Sequence, residues 1–161
     1  MIESYISLAG RIRKELDDIE RLVSRANRAM NSAQKNPQDA DLYIDSASLN
    51  LHDAYSGFER VFKQIAAIVD GNVPASPEWH RELLEQMGLD MPKVRPPVLT
   101  SDSIERLDEY LRFRHIVRNV YTLSFDPERV GRLVKELEPT FEKMRQELLV
   151  FASFLEKVGT E

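Results

Sequence analysis

Ile6-Ser-Leu8-Ala-Gly-Arg-Ile12-Arg-Lys-Glu-Leu16-Asp-Asp-Ile19-Glu-Arg-Leu22-Val23-Ser-Arg-Ala26-Asn-Arg-Ala-Met30 decides the fold. Its apolar residues recur in steps of mostly three and four, and the positions between them are largely charged. A helix turns once every 3.6 residues, so that spacing draws one apolar stripe along one face. The pattern predicts a helix from Ile2 to about Gln34.

The same period continues outward. Asn36-Pro37 ends the first helix and starts the second, because Asn can cap and Pro suits the first helical turn. The second helix reaches about Asp70 through Leu42, Tyr43, Ala47, Leu51, Ala54, Tyr55, Phe58, Val61, Phe62, Ile65 and Ile68, with Gly71 as its stop. Ser76-Pro77-Glu78 starts a short helix, with Ser76 as its cap, that ends near Met87 and Gly88. Pro92, Pro96 and Pro97 make Asp90 to Thr100 extended or irregular. Ser101 or Ser103 opens a fourth helix through Ile104, Leu107, Leu111, Val117 and Tyr121. Asp126-Pro127-Glu128 starts the last, with Val130, Leu133, Val134, Leu137, Phe141, Met144, Leu148, Phe151, Leu155 and Val158 as core positions and a bend at Pro139. No stretch has a strand period and none repeats. The expected architecture is all-α: an antiparallel helical bundle of four long helices plus a short helix in the crossover, forming one domain over residues 1–161.

An apolar fraction of 42% supports a core, and a charged fraction of 30% fits long helices with solvated faces. The net charge of −5 argues against a general electrostatic grip on DNA. A local basic site for a short or single-stranded RNA segment is compatible with it. The chain has no Cys, so disulfides and thiolate metal sites are impossible. Met1-Ile-Glu-Ser-Tyr-Ile lacks the basic start and apolar run of a signal peptide, and no stretch has the roughly 20 apolar residues of a membrane span. The expectation is a cytoplasmic protein that does not engage membranes.

Chemistry concentrates in Leu111-Arg-Phe-Arg-His-Ile-Val-Arg-Asn-Val-Tyr121. On a helix, Asp108, Arg112, His115 and Asn119 share one stripe, and Arg114, Arg118 and Tyr121 share the next. A base, several donors and a phenol can then face one small volume, a set suited to a phosphate ester. A second reading stands beside it. Arginines late in a helix favour its dipole and can pair with Asp108, Glu109 or the acids of the last helix. Spacing alone does not separate the two.

Other signals read as structural. Trp79 is expected to plug the short helix onto the bundle, with His80 beside it. His52 reads as a solvated histidine. The six Gly are scattered and form no phosphate-cradling loop. There is no His-Glu-x-x-His motif and no inward Glu-x-x-His repeat, so no metal and no cofactor are expected.

The segment Arg114-His-Ile-Val-Arg-Asn-Val-Tyr121 resembles the motif of the HEPN superfamily, particularly its HepT-like branch: an Arg, four to six residues, a His, one residue and a Tyr, late in a helix. Trp79-His-Arg-Glu-Leu-Leu84, the Pro-rich turn after it, Leu107 to Arg114, and Phe125 to Val130 fit the surrounding pattern. The resemblance implies a metal-independent endoribonuclease, typically a toxin paired with a minimal nucleotidyltransferase antitoxin, with its cleft at a homodimer interface. It implies that Arg114 is the motif Arg, that His115 fills the polar position after it, and that Tyr121 is the Tyr an antitoxin can AMPylate. One departure stands out: Asn119 occupies the motif His position, and Asn is no base near pH 7. His115 lies one turn earlier on the same face, as if the two side chains had been exchanged. The expected catalytic set is therefore Arg114, His115 and Asn119, with Arg112 and Arg118 binding RNA. The alternative is a degenerate bundle that dimerises and binds a nucleotidyltransferase or nucleotide without cutting.

Overall fold

The computed structural model describes residues 2–119 and 125–161. Among these residues there are five α-helices and no strand: α1 (Ile2–Lys35), α2 (Ala40–Ile65), α3 (Trp79–Gln86), α4 (Ser101–Asn119) and α5 (Pro127–Thr160). A short 3-10 turn at Pro37–Asp39 leads into α2, and a π turn at Ala66–Asp70 extends it. The all-α reading holds.

Side-chain register fixes the directions. Arg60 bonds Glu15 and Arg25 bonds Asn50, so α1 and α2 run antiparallel. Arg13 reaches Glu156, whereas Gly131 lies beside Met30, so α5 is antiparallel to α1. Arg132 pairs with Glu109 and Lys143 with Asp102, which sets α4 antiparallel to α5. The core runs the length of these helices, from Leu8, Ile12 and Ile19 through Tyr55, Phe58 and Phe62 to Phe141, Met144 and Leu148. Burying each such side chain contributes about 1.5–3 kcal/mol.

Most expected core positions are buried, but Ile6, Leu42 and Val158 are exposed. All three sit in turns near helix ends. There the stripe outruns its neighbours, and periodicity cannot register that.

Gly71 terminates the second helix with φ of 72°, a left-handed position that glycine adopts without strain. Asp126 caps α5 by accepting from the Glu128 backbone N–H at 3.1 Å. Two capping expectations differ in detail. The Asn36 side chain donates backward to the Ser32 carbonyl and so closes α1 instead of capping α2. Ser76 accepts from the Glu78 N–H in a turn that precedes α3. Helix α4 opens at Ser101, one of the two expected starts, with Thr100 before it as the cap: the Thr100 hydroxyl accepts from the Ser103 N–H at 3.3 Å. Helix α5 runs uninterrupted through Pro139.

The crossover between α3 and α4 is held by one buried ion pair. Arg95 donates to both carboxylate oxygens of Asp70, at 2.6 and 2.8 Å, and both side chains are fully buried. Its remaining donors reach the carbonyls of Gln86, Leu89 and Pro96. This clasp ties the irregular segment to the end of α3 and thereby fixes where α4 begins.

Candidate functional site

The last turns of α4 border an open cavity of about 750 Å3. Arg112, Arg114, His115, Arg118 and Asn119 line it from α4. Trp79, His80 and Arg81 face it from α3, and Arg129 from the first turn of α5. Five guanidinium groups and two imidazoles thus meet on one cavity, and among the described residues Glu78 is the sole carboxylate in its wall. In a chain of net charge −5, this is a focused positive site.

The charges are held from behind. Glu59 of α2 is nearly buried, with 6% of its side chain exposed. One of its oxygens lies 2.7 Å from His80 Nδ1, and the other lies 3.8 Å from Arg114 Nη2. Arg114, 13% exposed, also donates from Nε to Ser56 Oγ at 3.0 Å. A buried carboxylate is tolerated only when it is paired, and here its partners are two side chains of the cavity. Asp108 plays a similar part for a second pair: it takes Arg112 at 2.7 Å, one turn along α4, and bonds Arg81 across from α3. That bond raises the pKa of Arg81 further above its already high value and outweighs the opposing effect of burial. Arg118 has no carboxylate within 4.0 Å among the described residues. The buried hydroxyl of Tyr55 has no hydrogen-bond partner there either. Burial first, then the charge of Glu59, pushes its pKa far above the usual phenol range, so it stays protonated.

The five α4 residues expected at the site all face this cavity. His115 and Asn119 are neighbours: the Asn119 amide donates to the His115 carbonyl at 2.8 Å and lies 3.4 Å from its Nε2. Tyr121 lies outside the described residues. The structural reading of the cluster is met in part: Arg112 does pair with Asp108, whereas Glu109 pairs with Arg132 on α5, outside the cluster. His52 sits 3.0 Å from its neighbour Asp53 and takes no part in the cavity.

Trp79 and His80 pack as expected and also line the cavity. Trp79 is half-buried against the core, yet its ring stacks on His80 at 3.5 Å and both line the cavity. Lys63 sits 4.0 Å above the same indole. Arg81 and Arg129 are further cavity residues that the sequence pattern did not single out. One signal was there: Glu59 falls on the apolar stripe of Tyr55, Phe58 and Phe62, and a carboxylate on a core face demands a cation.

A family model described as HepT-like protein matches residues 46–155. The chain belongs to the HepT-like family. The matched span includes α3, α4 and every residue that lines the cavity, whereas α1 lies outside it. No curated protein and no solved structure matches this HepT-like chain. Among its described residues, no three His, Asp or Glu side chains converge as a metal site, and no helix is long and apolar enough to cross a membrane.

Proposed function

We propose that this HepT-like protein is a metal-independent endoribonuclease, the toxin of a pair whose other member is a minimal nucleotidyltransferase. The observation that carries the reading is the gathering of five guanidinium groups and two imidazoles on one cavity of an acidic chain. Cleavage of RNA without a metal needs a base for the 2′-hydroxyl and cations for the charge that grows on phosphorus. His115 is the base. The guanidinium forks of Arg114 and Arg118 match phosphate oxygens, Arg112 extends the binding surface, and Asn119 orients the phosphate or ribose. In a homodimer with these faces turned to the two-fold axis, two copies of the cluster would share one cleft. Tyr121, two turns beyond Arg114 in sequence, is the residue the partner would AMPylate, adding negative charge where a substrate phosphate would sit.

The test is incubation of the purified protein with tRNA and mRNA in EDTA. Cleavage that leaves 2′,3′-cyclic phosphate ends and is lost in Arg114→Ala supports the reading; intact RNA overturns it. One observation favours the non-catalytic alternative. The Asn119 amide, at the motif His position, spends a donor on the backbone carbonyl of His115. Under that alternative the same cavity holds nucleotide or RNA without cutting it, and the EDTA incubation decides between the two.

A further inference from the structure

Ribonuclease chemistry has two proton transfers, and His115 serves one of them. His80 is the second imidazole on the cavity, and its ring is fixed on two sides. Glu59 takes Nδ1 at 2.7 Å, and the Trp79 indole covers one ring face at a centroid distance of 3.5 Å and an angle of 29°. A carboxylate at Nδ1 decides the tautomer, because Nδ1 keeps its proton for the carboxylate whether the ring is neutral or charged. Nε2 is then the nitrogen that exchanges protons. The side chain is 25% exposed, and that exposure opens on the cavity.

We propose that His80 is the general acid of the cleavage reaction, with Glu59 as its positioning residue; this rests on the ribonuclease reading above. His115 takes the proton of the 2′-hydroxyl, and the 2′-oxygen bonds to phosphorus. The bond from phosphorus to the 5′-oxygen breaks, its electron pair stays on that oxygen, and His80 Nε2 supplies the proton. The products are a 2′,3′-cyclic phosphate and a 5′-hydroxyl. His115 then releases its proton to water and His80 takes one up. The division of roles follows from the charges around each ring. An acid must enter the cycle as the imidazolium, and Glu59 balances that charge for His80. His115 has no carboxylate within 4.0 Å among the described residues, and its neighbours are Arg112, Arg118 and Asn119.

A purely structural His80, present only to neutralise Glu59, predicts no dependence on the leaving group. The experiment compares a diribonucleotide, whose 5′-alkoxide must be protonated to leave, with uridine 3′-(4-nitrophenyl phosphate), whose nitrophenolate leaves unaided. His80→Gln retains an amide donor for Glu59. It is expected to slow the diribonucleotide by about 10²–10⁴-fold, with a far smaller loss on the aryl ester, whereas His115→Ala slows both. Glu59→Gln should follow the pattern of His80→Gln at smaller amplitude. Circular dichroism checks each fold, and His80→Ala rescued by added imidazole on the diribonucleotide alone is the second expected result. Equal loss on both substrates in a folded His80→Gln, or no loss on either, overturns the acid role and leaves the ribonuclease reading standing. A wild-type protein that cuts neither substrate overturns both.

Discussion

Arg114 on α4 donates from Nε to the hydroxyl of Ser56 on α2 at 3.0 Å, tying the cavity-lining helix to its neighbour. Only a guanidinium can spend Nε on one partner and keep two further nitrogens for a carboxylate and a substrate. Arg114→Lys retains the charge and loses that geometry. It is expected to cut kcat/KM for RNA by about 10²–10³-fold, close to the loss in Arg114→Ala. Cleavage kinetics of the two variants, side by side, make the comparison; a Lys variant near wild type would mean that charge alone matters at this position.

Two glycines offer a matched test of packing. A Cβ on Gly57 would stand 2.7 Å from Cγ1 of Ile19, which is fully buried and branches close to its own backbone. A Cβ on Gly88 would meet Cδ1 of Ile104, the free end of a half-buried side chain that can turn aside. Gly57→Ala is expected to lose about 1–3 kcal/mol from overpacking, offset by roughly 0.5–1 kcal/mol of helix propensity. Gly88→Ala should be close to neutral. Urea titration followed by circular dichroism measures both.

How much of this was legible in the sequence depends on what holds each part. Stripes such as Leu8, Ile12, Leu16 and Ile19 declare a helix because the signal is local and repeats. The cluster on α4 was legible for the same reason, since Arg112, Arg114, His115, Arg118 and Asn119 lie within three turns. His80 was not. Its place on the cavity is held by Glu59, twenty-one residues earlier, and sequence spacing does not encode that approach. Arg95 was hidden as well. An Arg between prolines reads as exposed loop, and nothing local signals that Asp70 waits for it inside the crossover.

AMPylation is a prediction about Tyr121. Co-expression with a minimal nucleotidyltransferase should add one AMP-sized mass to the intact protein, and Tyr121→Phe should abolish the adduct. The modified protein should also lose RNA cleavage, because the added phosphate competes electrostatically for the arginines that would hold substrate. Intact-mass spectrometry reads the first outcome, and an adduct that persists in Tyr121→Phe refutes the site.

A homodimer is a further expectation of the proposed function. Light scattering at micromolar concentration should report twice the chain mass. If the two clusters face each other across a two-fold axis, RNA bound between them screens their repulsion. Arg118→Glu should then weaken RNA binding without unfolding the chain, because Arg118 is exposed and has no carboxylate within 4.0 Å among the described residues. A monomeric mass would remove the shared cleft.

The clasp of Arg95 on Asp70 makes the sharpest stability prediction. Both side chains are fully buried, so Arg95→Met leaves an uncompensated carboxylate in the interior. Breaking such a pair from one side costs about 3–5 kcal/mol, which for a chain of this size lowers the melting temperature by roughly 10 °C. Replacing both partners, Asp70→Leu with Arg95→Met, removes the stranded charge, and in many proteins that swap is close to neutral. Here the recovery should be incomplete. Arg95 also donates to the carbonyls of Gln86, Leu89 and Pro96, and the double variant still leaves those acceptors without it. Each lost hydrogen bond of this kind costs about 0.5–1.5 kcal/mol. Thermal unfolding should therefore rank wild type above the double variant, and the double variant above Arg95→Met. Because the clasp fixes the crossover that leads into α4, RNA cleavage should fall in the same order; a double variant as stable as wild type would show that the carbonyl bonds contribute nothing.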